Sequence, residues 1–210
     1  MVKIVCIGDS ITAGAPLVGT GKEWVTLLQS KLGKRAMLIN RGIGGDTTAG
    51  MIARFQADVV AEKPDYVIIA GGLNDQWLQV DFDAINAVND GTQFTADPDR
   101  YGQSAATIYG HLVSLIQMAK MANIKPMIVL ETGVNPAITP RPNSVLKAVW
   151  TDIAAYAVQN NIPVIDWFGL MWDGQRYRTE YVSPDCVHPS EQGHSAISDA
   201  TYAMLNKLVN

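Results

Sequence analysis

Apolar residues fall along the chain in two patterns. Residues 2–7, 36–39, 66–70, 127–130 and 163–165 form short runs rich in Val, Ile and Leu. None alternates polar with apolar positions, so each is predicted to be a strand covered on both faces, as in a parallel sheet. Between the runs lie stripes at helical spacing. Trp24, Leu27, Leu28 and Leu32 make one, and Ala105, Ile108, Leu112, Leu115, Ile116 and Ala119 make a longer one. Val145, Val149, Ile153 and Tyr156 make a third, and Ala196, Ile197, Ala200, Met204 and Leu208 close the chain. Five strands alternating with helices predict an α/β fold, an open sheet with helices on both sides. Right-handed crossovers put the carboxyl ends of the strands on one edge, where ligands gather in such sheets. Ser10 follows the first run, Gly44-Gly45 the second and Asn74 the third, so all three should meet there. The segment from Asp185 to His188 would have to reach the same edge from beyond the fifth strand.

Two connections are long for a compact domain. One is 76–102, with Trp77 and Phe82; the other is 131–143, with Pro136, Pro140 and Pro142. Loops of this length shape a binding site or a lid, or are surface insertions without a role.

Composition narrows the picture. A chain of 210 residues suits one domain, taken as 1–210, and 48% hydrophobic with 17% charged residues describes a globular chain. The net charge is -4 and no basic run occurs, which argues against a nucleic-acid surface. No apolar stretch approaches the roughly 20 residues of a membrane span. The 2–7 run is too short for a signal-peptide core and Asp9 follows it, so a cytoplasmic location is expected. The two cysteines, Cys6 and Cys186, are no disulfide framework and lack zinc-ligand spacing. Cys6 is expected to pack as a small hydrophobe; Cys186 reads as a spacer open to thiol reagents. No coiled-coil heptad points to an oligomeric state.

The chemistry lies in three short motifs: Gly8-Asp9-Ser10-Ile11, Gly71-Gly72-Leu73-Asn74-Asp75 and Asp185-Cys186-Val187-His188-Pro189. Ser10, taken alone, is a helix-capping or turn serine; as a nucleophile it needs a nearby base. Of three histidines, His111 and His194 fall in helical patterns and read as structural or solvent-facing. His188 precedes Pro189, which suits the first position of a helix, so its ring belongs to the preceding loop. Asp185, three residues earlier, can meet the imidazole Nδ1–H and set its tautomer. Acyl transfer also needs donors for a developing oxyanion. The Ser10 N–H, the Gly45 N–H and the Asn74 amide are available, although Gly45 also suits a tight turn before a helix near Thr47, and Asn74 an Asx-turn. Asp46 or Thr47 would cap that helix, and Asp9 and Asp75 would brace their loops.

The chain resembles a GDSL-type member of the SGNH hydrolase superfamily. Ser10 in GDSI matches the family's nucleophile, Gly45 in NRGIGGDTT the glycine of its second block, and Asn74 in GGLND the asparagine of its third. Asp185 and His188 in DCVHP match its DxxH pair. Ile11 stands where the family often has Leu, and Gly44 beside Gly45 leaves the oxyanion glycine open by one residue. The resemblance spans Gly8 to Pro189. It implies a flavodoxin-like three-layer α/β/α sandwich with a five-stranded parallel sheet, and ester or thioester hydrolysis through an acyl-enzyme without metal or cofactor. A small-molecule ester is then the expected partner, with acetyl, short-chain acyl or aryl esters foremost; an acyl thioester or a lysophospholipid fits the same site. A second class of reading is a non-catalytic ligand-binding protein, or an FMN-binding one using Ser10, Thr12 and Gly14 as a phosphate loop. Trp77, Phe82, Trp167, Trp172, Tyr177 and Tyr181 either wall a substrate pocket or pack at the edge of the core.

Overall fold

The computed structural model describes residues 1–76, 103–134, 141–172 and 177–209. Trp77, Phe82, the 77–102 part of the first long connection and the 135–140 part of the second lie outside the described residues.

Five strands form one sheet: β1 (Val2–Gly8), β2 (Ala36–Gly42), β3 (Tyr66–Ala70), β4 (Lys125–Leu130) and β5 (Val164–Asp166). All pairings are parallel and the order is β2-β1-β3-β4-β5, the flavodoxin-like arrangement. The helices are α1 (Ser10–Ala13), α2 (Trp24–Leu32), α3 (Thr48–Asp58), α4 (Leu73–Gln76), α5 (Ala105–Met121), α6 (Arg141–Gln159), α7 (Trp167–Leu170) and α8 (Glu191–Leu205). The chain steps from β1 to β2 in one direction and then from β1's other side through β3, β4 and β5. With right-handed crossovers, that reversal places α2 on one face and α3, α5 and α6 on the other. The packing agrees: α2 lies against α8, and α5 lies against α3 and α6. The α/β sheet with helices on both sides is therefore as the apolar pattern predicts. The reversal point lies between β1 and β3, the strands whose carboxyl ends lead into Ser10 and Asn74.

The middle of β1, from Ile4 to Ile7, has no exposed surface. Cys6 packs there, and burial pushes its thiol up to about 12. The apolar runs misplace the ends of several strands, and β4 begins at Lys125, before its run. β2 continues through Asn40, Arg41 and Gly42, paired with Cys6, Ile7 and Gly8, because an edge strand tolerates polar side chains while its backbone ladder persists. β5 starts at Val164 rather than Pro163, whose nitrogen has no hydrogen to donate.

The helical stripes also need correction. In α2 Val25 is buried and Leu27 only half-buried. In α6 the buried face is Leu146, Val149, Trp150, Ile153 and Ala157, with Val145 and Tyr156 at its margins. The largest shift is in α8, which buries His194, Ile197, Ser198, Thr201 and Leu205, while Leu208 is exposed. Polar residues occupy that face because they find partners there. His194 Nε2 donates to Ala15 O at 2.9 Å and its Nδ1 accepts from Trp24 N at 3.3 Å. Thr201 Oγ1 accepts from Trp167 Nε1 at 3.1 Å. Burial lowers the His194 pKa, consistent with a ring held neutral between one donor and one acceptor. Nor does α8 begin at Pro189. Pro189 bridges antiparallel to Val182, and Ser190 caps the helix by accepting from Gly193 N. Among the described residues, no helix is long and apolar enough to cross a membrane.

Candidate active site

The carboxyl ends of β1, β2 and β3 converge, and each supplies part of the site. At the end of β1, Asp9 caps α1 by accepting from Ile11 N at 2.9 Å. Ser10 is therefore the first residue of a one-turn helix, and its N–H precedes the first helical hydrogen bond. Gly8 is required by close approach: a Cβ there would lie 2.1 Å from Thr12 Oγ1 and 2.7 Å from Ala70 O.

Beyond β5, the 183–188 loop is pinched shut by Ser183 N donating to His188 O at 2.8 Å and by the Val182–Pro189 bridge. Inside it, Asp185 Oδ1 accepts from Val187 N and His188 N, both at 2.9 Å, and from Ser183 Oγ at 2.5 Å. This Asx-type turn aims Oδ2 at His188 Nδ1, 2.7 Å away. The opposite ring nitrogen, Nε2, lies 2.9 Å from Ser10 Oγ. The fold thus joins Asp185, His188 and Ser10 into one chain across 178 residues of sequence separation. Burial alone would raise the Asp185 pKa. The hydrogen bonds from His188, Ser183 and the two backbone N–H groups outweigh it and hold the carboxyl well below the usual range.

Gly45 lies in a turn closed by Asp46 N donating to Ile43 O at 3.2 Å, with φ +73, and a Cβ there would meet nothing. Conformation rather than crowding favours glycine at this position, whereas Gly44 has neither constraint. Thr47, not Asp46, caps α3. Asn74 sits in α4 and donates both amide hydrogens, to Asp9 Oδ2 at 3.1 Å and to Asp46 O at 3.0 Å. It ties the β1, β2 and β3 loops together, and would give up one of these partners to serve a new acceptor. Asp75 braces its loop by accepting from Thr48 N at 2.9 Å and Thr48 Oγ1 at 2.5 Å. Thr48 Oγ1 also lies 2.9 Å from His111 Nδ1, so His111 belongs to this brace.

A matching profile of the GDSL-like lipase/acylhydrolase family covers residues 6–196. The chain belongs to that family. Its members give the structure its chemical class, and the protein is an ester-hydrolysing enzyme. Over 94 residues it is 40% identical to the acetylxylan esterase of Geobacillus stearothermophilus, a match covering 38% of this chain and 42% of that one. It is 27% identical to esterase TesA of Pseudomonas aeruginosa over 98% of this chain and 89% of the relative. Among solved structures, the lipase/acylhydrolase of Enterococcus faecalis superposes with a TM-score of 0.76 at 25% identity, covering 99% of this chain and 97% of the other.

Two residues at the site stand outside the three motifs. Glu131, just past the apolar run of β4, is fully buried and accepts from Leu73 N at 3.2 Å. It interacts with Asp9, also fully buried, whose pKa burial pushes up to about 6. Burial and the nearby Asp9 charge both drive Glu131 upward, so the two carboxyls are held as a pair that retains a proton more readily than either would in water. An acid directly after a strand run was the available hint. Arg54, on α3, has a side chain only 15% exposed that reaches both the β1 and β2 ends.

The aromatics divide. Trp167 is fully buried edge-on against Trp24, and Tyr177 is buried against Trp172 with its hydroxyl donating to Gly133 O at 3.1 Å. Both are packing residues rather than exposed pocket walls. Thr12 is fully buried as well, which removes it from any solvent-facing phosphate loop.

Proposed function

We propose that the protein is a serine esterase that cleaves carboxylic esters through an acyl-enzyme. In this reading His188 Nε2 takes the proton of Ser10 Oγ as the oxygen attacks the ester carbonyl. Asp185 holds the proton on Nδ1 and stabilises the imidazolium. His188 then protonates the leaving alcohol, and water repeats the two steps to release the acid. The Ser10 N–H, the Gly45 N–H and the Asn74 amide receive the oxyanion. Asn74 reaches it by exchanging the neutral Asp46 carbonyl for a charged acceptor, a stronger hydrogen-bond partner. The observation that carries the reading is the unbroken contact from Asp185 through His188 to Ser10, at 2.7 and 2.9 Å, at the carboxyl edge of the sheet. The whole of 1–210 serves as one hydrolase domain.

Acetyl, short-chain acyl or aryl esters are the proposed substrates, in keeping with the acetylxylan esterase and esterase among the relatives. A thioester or lysophospholipid substrate on the same site is the second reading. It is favoured by the thioesterase 1/protease 1/lysophospholipase L1 of Escherichia coli, 23% identical over 99% of this chain and 85% of that one. The test is hydrolysis of p-nitrophenyl esters from acetate to long acyl chains, beside an acyl-CoA thioester, by wild type and Ser10→Ala. Activity on esters that disappears with Ser10 and peaks at short chains supports the proposal. Activity retained in Ser10→Ala overturns the mechanism, and a clear preference for the thioester overturns the substrate assignment.

A further inference from the structure

We propose that Arg54 is the positioning residue of this site, a single guanidinium that locks the Gly44–Asp46 turn to the strand end carrying Ser10. The inference rests on the oxyanion reading above and goes beyond it, because Arg54 lies outside the resembling motifs. Four contacts radiate from it. Nε donates to Asp46 Oδ2 at 2.7 Å, and Nη1 donates to Arg41 O and Asp58 Oδ2, both at 2.8 Å. Nη2 donates to Gly8 O at 2.9 Å. Gly8 O also accepts from Ile43 N at 3.0 Å, so the end of β1 and the start of the β2 turn are fastened at one oxygen.

Asp46 is where this network reaches the chemistry. It follows Gly45 directly, and its carbonyl holds Asn74 at 3.0 Å. Its carboxylate is clamped twice, by Arg54 Nε and by Thr47 N at 2.9 Å. Gly50 leaves room for that clamp, since a Cβ there would lie 1.9 Å from Asp46 Oδ1. The Gly45 turn has no crowding of its own to fix it, as its glycines meet nothing within 4 Å of a Cβ. Beyond the backbone bonds made by Ile43 N and Asp46 N, its geometry is set through the Asp46 side chain, and Arg54 is the charged end of that constraint. A planar fork with donors in several directions is needed; a lysine ammonium in the same place satisfies one or two of the four acceptors.

The test measures kcat and KM of wild type, Ser10→Ala, Arg54→Lys, Arg54→Ala and Asp58→Asn on one p-nitrophenyl ester, with thermal unfolding of each followed by circular dichroism. Arg54→Lys is expected to fold and to lose about 10–100-fold in kcat with KM nearly unchanged, the loss typical of a small misplacement of catalytic groups. Arg54→Ala should lose more and regain part of its kcat on adding guanidinium chloride below denaturing concentration, but not methylammonium. Asp58→Asn, which cuts only the outer ion pair, should keep its kcat. If Arg54→Ala does not fold, Arg54→Lys decides alone. Wild-type kcat in a folded Arg54→Lys overturns the proposal, as does an equal loss in Asp58→Asn or equal rescue by both cations. Those results, with Ser10→Ala inactive, would leave the nucleophile reading intact; an active Ser10→Ala would remove the site on which the proposal rests.

Discussion

Asp185→Asn is the sharpest test of the proposed proton path, because the geometry dictates how the new amide must sit. Asp185 Oδ1 accepts from two backbone N–H groups at 2.9 Å, and Oδ2 faces His188 Nδ1 at 2.7 Å. Asparagine has one acceptor and one donor end. Turning the donor end toward Val187 N and His188 N sets donor against donor twice, so the amide oxygen takes the Oδ1 place and the NH2 faces His188 Nδ1. That nitrogen must then be an unprotonated acceptor, and the ring proton moves to Nε2, which points at Ser10 Oγ. The base is lost with the shape of the site preserved. The corresponding substitution in serine-protease triads costs about 10⁴ in kcat, or about 5 kcal/mol of transition-state stabilisation. The assay is steady-state hydrolysis of p-nitrophenyl acetate at pH 7, alongside circular dichroism and an NMR assignment of the proton-bearing ring nitrogen. A folded Asp185→Asn that retains a tenth or more of wild-type kcat would refute the reasoning, since His188 would then keep its working tautomer without Asp185.

Asn74→Ala should lower kcat roughly 10²–10³-fold, the usual cost of one oxyanion donor, and unchanged kcat would remove Asn74 from that role. Gly8→Ala should destabilise by about 1–3 kcal/mol or more in urea titration, because a Cβ at 2.1 Å from Thr12 Oγ1 and 2.7 Å from Ala70 O forces the β1 end apart; a wild-type midpoint would show that the end yields freely. His194→Ala should cost about 1–3 kcal/mol, since it leaves the buried Trp24 N–H and Ala15 carbonyl without partners. For pH, Asp185 is held below the ordinary carboxylate value of about 3.9, so its contribution to stability is complete above that value and is lost as pH falls through its folded value. The Tm gap between wild type and Asp185→Asn should accordingly narrow as pH falls from about 5 toward 2; a gap that stays constant would mean the carboxylate is not stabilised by folding.

The apolar pattern by itself determined the element types and the α/β class, because a strand buried on both faces must be apolar nearly throughout and an amphipathic helix must repeat at its own period. It also delivered Gly8, Asp9 and Ser10 to the end of the first strand, and Asn74 to the turn after the third. The local DxxH spacing likewise carried its own geometry, since a carboxylate that accepts from the N–H groups two and three residues ahead already faces the side chain of the latter. Tertiary structure decided the rest. Strand order, which brings the β1 and β3 ends together, depends on which face each crossover helix covers. The joining of His188 to Ser10 depends on how the 183–188 loop folds back after β5. Polar residues can occupy a buried face only where partners arrive from elsewhere, which is why His194 and Thr201 escape a hydrophobic stripe. Glu131 and Arg54 are hidden for the same reason: their roles reside in acceptors and donors supplied largely by other segments of the chain, and one-dimensional periodicity records only that a position is polar.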